Sequence, residues 1–504
     1  MDTRSWELAL DLEAAAAGAE PGRAPVFLRI ARTIAEDVRR GRLRPGAPLP
    51  GSRSLAGTLG VHRNTVLAAY AELGAEGWIT TAAARGTFVS TALPEPSPRR
   101  FSASADAAPR AGVPARAGFD LGPGPEPYPR QALPPGTLAL AGGLPDLRLV
   151  PAAALARAYR RVLRTQGRTV LDYGDPRGHP RLRAALAAML SARRGLAATP
   201  DSVLVTRGSQ MALDLVARAL LAPGDVVAVE ALGYRPAWEA LRRAGAQLVP
   251  VPVDAGGLRT DALAALAART RVRAVYVTPH HQYPTTVTLP AGRRLALLAL
   301  ARTHRIAILE DDYDHEFHYE GRPVLPLASA DRAGVVVYVG TLSKILAPGL
   351  RLGFLVAPAP LVERVATLRT YVDRQGDLGM EAAVAELLED GEVLRHAHRV
   401  RRVYLERRDT LAAALRRALG GALRFDVPAG GIALWTRAAR GIDTDAWAER
   451  ALARGVAVQT GRRFAFDGRA RQTLRLGFAP LTPAELREAV RRLAAALPSG
   501  TVRR

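Results

Sequence analysis

From about Thr137 onward, short apolar runs of strand character alternate with longer Ala-, Leu- and Arg-rich stretches of helical pattern. The runs are SVLVT, DVVAVE, QLVPVPV, AVYVT, IAILED and VVVYVG. Strands that are apolar at nearly every position are buried on both faces, and such strands belong to parallel sheets. Their alternation with helices is the signature of βαβ units, so the fold class expected here is α/β with a mostly parallel sheet. After about Pro358 long helices give way to shorter strands, which predicts a small C-terminal α+β subdomain.

Upstream of this region the composition changes. Residues 92–137 are rich in Pro, Gly, Ala and Arg and show no periodicity. They read as a linker sampling extended, partly polyproline conformations, or as a segment that wraps and docks on a neighbouring domain. Residues 24–91 are helical and end in a Gly-Thr turn and a short strand, whereas residues 1–23 suggest an amphipathic arm around Trp6, Leu8, Leu10 and Leu12 that packs on a domain or a partner. The 504 residues thus divide into an arm (1–23), a small domain (24–91), a linker (92–137) and a large domain (138–498).

The absence of cysteine excludes disulfides, Cys–zinc sites and thiol nucleophiles, and fits a cytoplasmic protein. The acidic N-terminal stretch lacks the apolar core of a signal peptide. No run approaches the roughly 20 apolar residues of a membrane span, so no membrane association is expected. A formal net charge of +23 favours an acidic partner such as nucleic acid, although the arginines are spread along the whole chain.

Two residue types occur once each. Of 70 Lys and Arg residues only Lys344 is a lysine, and the only Asn is Asn64. Arginine can replace lysine in most charge contacts but not as an amine nucleophile, so Lys344 is a candidate for Schiff-base chemistry. Asparagine can read adenine with two hydrogen bonds.

Asn64 lies in the segment GVHRNTVLAAYAEL. A short helix at LAGTLG (55–60) and a Gly turn precede a second helix that starts near His62, Arg63, Asn64 and Thr65 and carries Val66, Leu67, Tyr70 and Leu73 at core spacing. Such a helix presents its N-terminal residues to base edges in the major groove; Thr65 reads equally well as a helix-start residue alone. Arg53 precedes the first helix, and GWITTAAARGTFVS reads as a two-stranded wing with Arg85, Gly86 and Thr87 at its tip. The segment resembles the GntR-type winged helix-turn-helix over about 65 residues, through its Gly-x-Leu-x-Pro-Gly turn, Leu-Pro, Arg53, helix pair and Gly-Thr-Phe-Val wing, in that order. Gly51 stands where that family usually has Ser, and Ser52 is placed to cap the helix instead. Double-stranded DNA is the partner implied.

Around Lys344 the sequence GTLSKILAPGLRLG offers Thr341, Ser343 and Arg351 to an anion, and Gly208-Ser209-Gln210 opens a helix whose backbone N–H groups suit a phosphate. Asp311, at the end of IAILED, can keep a pyridine nitrogen protonated; Tyr313 can bond a ring hydroxyl, and Tyr234 can stack on the ring. These are parts of a pyridoxal 5'-phosphate site. Residues from about 138 to 498 resemble fold-type-I aminotransferases, in the pattern TRGSQ…GYRPAW…TPHHQYPT…EDDYDHEF…GTLSKILAPGLRLG…LRLGFA. The resemblance implies Lys344 as the aldimine lysine, Asp311 at the pyridine nitrogen, Tyr313 at the ring hydroxyl and Tyr234 for stacking. It also implies Ser209, Gln210, Thr341, Ser343 and Arg351 for the phosphate, and Arg475 for a substrate carboxylate. Arg475 reads otherwise as one half of a buried salt bridge. The family places an Asn before Pro-Thr-Gly; here Tyr283 and Thr286 stand at the Asn and Gly positions, and Tyr283 or His281 is expected to compensate. A rival His/carboxylate metal site at HHQY…DYDHEFHYE is set aside, because His280 and His281, and likewise His315 and His318, diverge if these segments are strands; no metal is expected.

The fusion resembles the MocR-type transcriptional regulators. That resemblance implies a head-to-tail homodimer controlling genes of amino-compound or vitamin B6 metabolism, with an amino ligand or pyridoxal phosphate itself as effector. The other reading is a working aminotransferase with an appended DNA-binding domain.

Overall fold

The computed structural model describes residues 25–82, 85–94, 116–121, 133–141 and 143–497. The expected N-terminal arm and most of the expected linker lie outside these residues. The chain divides into two units, residues 1–127 and 128–504.

In the first unit, helices α1 (Val26–Arg39), α2 (Ser52–Leu59) and α3 (Arg63–Ala75) precede the antiparallel pair β1 (Ile79–Ala82) and β2 (Gly86–Val89). Gly60 ends α2 in the left-handed region (φ 63°), the conformation that lets the chain turn at once into α3. The hydroxyl of Tyr70 donates to the carbonyl of Pro50 at 2.7 Å and pins α3 to the turn before α2. Ile34, Leu55, Val66, Leu73 and Trp78 meet in one core. Three expectations need correction. Arg53 does not precede the first helix but lies in its first turn, because α2 begins at Ser52. Leu67 is exposed: the helical period turns Val66, Ala69, Tyr70 and Leu73 inward and leaves Leu67 on the outer face. Gly51, not Ser52, is the N-cap of α2; Ser52 sits inside the first turn, where its hydroxyl accepts from Arg63 Nε at 3.3 Å.

The second unit is built on a seven-stranded sheet. Its strands are β3 (Val203–Thr206), β4 (Val226–Glu230), β5 (Gln247–Val251), β6 (Val272–Val277), β7 (Ala307–Asp312), β8 (Val336–Thr341) and β9 (Gly353–Val356), in the order β3-β9-β8-β7-β6-β4-β5. Only β9 runs antiparallel to its neighbours. Every residue of β3 and β8 is buried, as the unbroken apolar runs require of strands covered on both faces. A second, antiparallel sheet of β10 (Leu423–Arg424), β11 (Ala433–Ala438), β12 (Gln459–Thr460) and β13 (Thr473–Gly477) packs with the helices Glu392–Leu419 and Pro483–Ala495 around Trp447, Leu434 and Leu476. This is the small α+β part expected near the C-terminus.

The parallel strands converge with their C-terminal ends on one edge of the sheet. Thr278 follows β6, Asp311 and Asp312 end β7, and Thr341 ends β8. Ligands of open α/β sheets gather at that edge, because the loops there are free to vary while the strands hold them still. Among the described residues no helix is long and apolar enough to cross a membrane.

Candidate cofactor and nucleic-acid sites

A cavity of about 270 Å³ lies at the C-terminal edge of the parallel strands, and Lys344, Asp311, Tyr313, Tyr234, Ser209, Gln210, Thr341, Ser343 and Arg351 all line it. Gly208 sits directly behind. It is the N-cap of the helix Ser209–Leu220 with φ 83°, and a Cβ there would stand 2.9 Å from the guanidinium of Arg351. Glycine is therefore required twice at this position, for its backbone angle and for the close approach of Arg351 to the helix N-terminus. Arg351 in turn donates to the carbonyl of Arg207 at 2.8 Å. The result is an anion cradle of the helix N-terminus, the hydroxyl-bearing residues Thr341 and Ser343, and one guanidinium.

Lys344 follows β8, and its ammonium donates to the carbonyl of Gly143. Burial, with the neighbouring Arg475 guanidinium acting in the same direction, pulls the amine down to about 8. A lysine so placed supplies free amine near neutral pH, as nucleophilic attack requires. Asp311 accepts at Oδ2 from the hydroxyl of Tyr276 at 2.8 Å, while Oδ1 is buried without a partner. Burial pushes this carboxyl up to about 7. A cationic ring N–H facing Oδ1 would both satisfy that oxygen and favour its ionised form. The Tyr313 hydroxyl is likewise buried without a hydrogen-bond partner. These orphaned groups fit a ring bearing a protonated nitrogen and a hydroxyl.

Arg475 lies outside the cavity lining, in the middle of β13, opposite Trp435 on one side and Gln459 on the other. It is completely buried, and all three guanidinium nitrogens lack a hydrogen-bond partner; its charge centre lies 4.7 Å from the Tyr283 ring centroid. The described structure supplies no carboxylate to it, so the salt-bridge reading finds no partner among the described residues.

Sequence reasoning did not single out Tyr276, Thr278, Gly143 or Gln459, which also line the cavity. Tyr276 carried a signal: a phenol at a buried strand position needs a partner for its hydroxyl, and Asp311 is that partner. Tyr283 lines the cavity and meets Tyr234, Tyr313 and Phe464 edge-on at 5.5–5.9 Å. His281 does not line it: its Nδ1 pairs with Asp314 Oδ1 at 2.8 Å, so of the two expected substitutes for the missing Asn only the phenol reaches the cavity.

The expected divergence of the histidine pairs is also corrected. β6 ends at Val277 and β7 at Asp312, so both pairs lie in loops where strand alternation no longer applies. Their rings converge, with His280 centred 4.3 Å from His281, 4.6 Å from His315 and 6.2 Å from His318.

In the first unit, Arg53, His62, Arg63 and Asn64 are exposed and Thr65 is half-buried. His62 is the N-cap of α3, its Nδ1 accepting from the backbone N–H of Asn64 at 3.3 Å, so its ring is turned to the helix end and the side chains of Arg63 and Asn64 begin the first turn. Arg85 and Gly86 are exposed where the wing turns, and the hydroxyls of Thr87 and Thr81 face each other across the strands at 3.5 Å.

Two family models match: bacterial regulatory proteins of the gntR family over residues 27–89, and aminotransferase class I and II over residues 137–493. The chain is 33% identical to the probable rhizopine catabolism regulatory protein MocR of Rhizobium meliloti, covering 94% of both chains. It is 31% identical to the pyridoxine biosynthesis transcriptional regulator PdxR of Corynebacterium glutamicum, covering 92% of this chain and 96% of that one. Among solved structures, LysN, an α-aminoadipate aminotransferase from Thermus thermophilus complexed with N-(5'-phosphopyridoxyl)-L-leucine, is 34% identical with a TM-score of 0.67, over 72% of this chain and 92% of that one. Pyridoxal phosphate is the cofactor these matches and the cavity chemistry agree on. A gntR-family DNA-binding domain joined to a class I and II aminotransferase domain, matched along nearly its full length by regulators of the same build, makes this chain a member of the MocR-type transcriptional regulators.

Proposed function

We propose that this protein is a pyridoxal phosphate-dependent transcriptional regulator that senses an amino compound bearing a carboxylate. Bound pyridoxal phosphate supplies an aldehyde open to amine attack and an electron-withdrawing ring. Lys344 holds the cofactor through its amine. Asp311, oriented by Tyr276, keeps a proton on the ring nitrogen; Tyr313 bonds the ring hydroxyl, and Tyr234 flanks the ring. Gly208, Ser209, Gln210, Thr341, Ser343 and Arg351 take the phosphate. In the N-terminal unit Arg53, Arg63, Asn64, Thr65 and the wing residues Arg85, Gly86 and Thr87 contact DNA, with His62 fixing the start of the reading helix. The protein acts in the cytoplasm as a head-to-tail homodimer on genes of amino-compound or vitamin B6 metabolism.

The observation that carries the choice of ligand is Arg475. A fully buried guanidinium with no hydrogen-bond partner is strongly unfavourable, and a carboxylate would relieve it. A free amino acid has such a group, whereas pyridoxal phosphate does not. A ligand can switch DNA binding only if it favours one arrangement of the protein over another. The test is a screen of amino acids and amines against DNA binding by wild type and Arg475→Ala. Carboxylate-bearing amines should change DNA binding in wild type and not in the variant. An identical response in both would leave pyridoxal phosphate itself as the signal.

The retention of Lys344, Asp311 and Arg475 together supports a second reading, transamination with DNA binding appended. Sustained conversion of an amino acid and a keto acid at rates typical of enzymes, roughly 1 s⁻¹ or above, would favour it.

A further inference from the structure

We infer that His280, His281 and His318 form a binding site for one divalent transition-metal ion of the zinc class, behind the cofactor cavity. Each offers a ligand nitrogen, and the three nitrogens lie within 4.8 Å of one another. Tetrahedral zinc with Zn–N bonds of about 2.1 Å needs nitrogens about 3.4 Å apart. Closing that gap takes a side-chain rotation, and His318 is the half-buried member of the three.

Three observations support the site. His280 is 2% exposed, yet neither of its ring nitrogens has a hydrogen-bond partner. Buried imidazoles without partners are rare unless something else meets them. The second observation is the pairing of His281 Nδ1 with Asp314 Oδ1, which leaves Nε2 as the lone-pair nitrogen; a carboxylate behind a ligating histidine is the usual support of a zinc ligand. The third is Gly430, which forms a bridge with His318 and carries no side chain where a Cβ would collide with His281 Nε2. The donors are three imidazoles and no thiols, which selects zinc, cobalt, nickel or copper over magnesium or calcium.

A second set, His280 with Asp312 and His315, also lies within 4.8 Å. One oxygen of its carboxylate is already engaged, however: Asp312 Oδ2 accepts from the Tyr338 hydroxyl at 2.7 Å and lies 2.9 Å from His315 Nδ1 and 3.8 Å from Arg194, which leaves only Oδ1 without a partner. The three-histidine set has no such competition. Its position has a consequence. Asp311 and Tyr313 line the cofactor cavity, whereas Asp314, between Tyr313 and the metal cluster, holds His281. An ion here ties the loop after β6 to the loop after β7 and so stiffens the wall of the cavity.

The test uses full-length protein without an affinity tag, stripped by chelator and dialysed against Zn(II) or Co(II). Metal content is read by mass spectrometry, Co(II) geometry by visible absorption, and folding by circular dichroism. Wild type should retain one ion per chain, with the intense absorption of tetrahedral cobalt. His318→Ala and His280→Gln should each lower metal affinity by about tenfold or more with an unchanged dichroism spectrum. Zinc should raise the melting temperature of wild type but not of His318→Ala, a comparison that holds even if His280→Gln fails to fold. Wild type retaining no more metal than His318→Ala would overturn the proposal. So would metal loss from His315→Ala with none from His318→Ala, which assigns the ion to the other set.

Discussion

The two units carry their candidate functional residues in opposite ways. In the winged helix, Arg53, Arg63 and Asn64 stand in solvent, where water satisfies them in the absence of a partner. In the aminotransferase-like unit, Asp311 Oδ1, the Tyr313 hydroxyl and the whole Arg475 guanidinium are buried without hydrogen-bond partners. An exposed polar side chain says little about its target, because leaving it unpaired costs almost nothing. A buried one says a great deal, because the penalty of about 1–3 kcal/mol per group persists until a complementary group arrives. The chemistry of the small-molecule ligand is therefore legible here while the operator sequence is not.

Lys344→Ala should abolish the visible absorption of the bound cofactor outright, while Asn64→Ala leaves that spectrum unchanged; a Lys344→Ala protein that keeps the band would remove the covalent claim. Arg475→Ala should weaken a carboxylate-bearing ligand by about 2–5 kcal/mol, roughly 30-fold or more, measured by calorimetry. The same change should leave the melting temperature of the ligand-free protein unchanged or higher, since it removes an uncompensated buried charge. A fall in melting temperature with ligand affinity intact would instead point to a structural arginine. Asn64→Ala should reduce discrimination between specific and scrambled DNA by about 1–3 kcal/mol, read from competition gel shifts at one fixed salt concentration.

The smallest effect is in pH. Lys344 is a base whose proton affinity is lowered to about 8, so its free-amine fraction falls as pH drops below that value. The rate at which stripped protein recaptures pyridoxal phosphate should fall about tenfold per pH unit below pH 8 and level off above it. A rate insensitive to pH between 6 and 8 would mean that the buried amine is already neutral throughout.

Much of this was open to sequence reasoning because scarcity and strand pattern both report on backbone and chemistry together. The single lysine and the strand-end aspartate Asp311 both line the cavity, and the apolar runs became the strands of the main sheet. Failures arose where the periodic rule was carried past the end of its element. His280 and His281 lie beyond β6, and His315 and His318 lie beyond β7, so alternation gave the wrong directions for their rings. Leu67 lies one helical step from an inward face that Val66, Ala69, Tyr70 and Leu73 set, which core spacing alone does not resolve. Ser52 is of a type that favours a cap, but the backbone enters the helix one residue earlier, at Gly51. The bond from Tyr276 to Asp311 joins neighbouring strands 35 positions apart in sequence, and only the sheet order makes it visible.

The central claim is that the state of the cofactor cavity governs DNA binding. Its most direct test is the affinity of full-length protein for its own upstream DNA, with and without pyridoxal phosphate, in wild type and Lys344→Ala. Cofactor addition should change the wild-type affinity several-fold, about 1 kcal/mol or more, and leave the variant's unchanged. Equal affinity in all four conditions, with the wild-type cofactor band present, would contradict it.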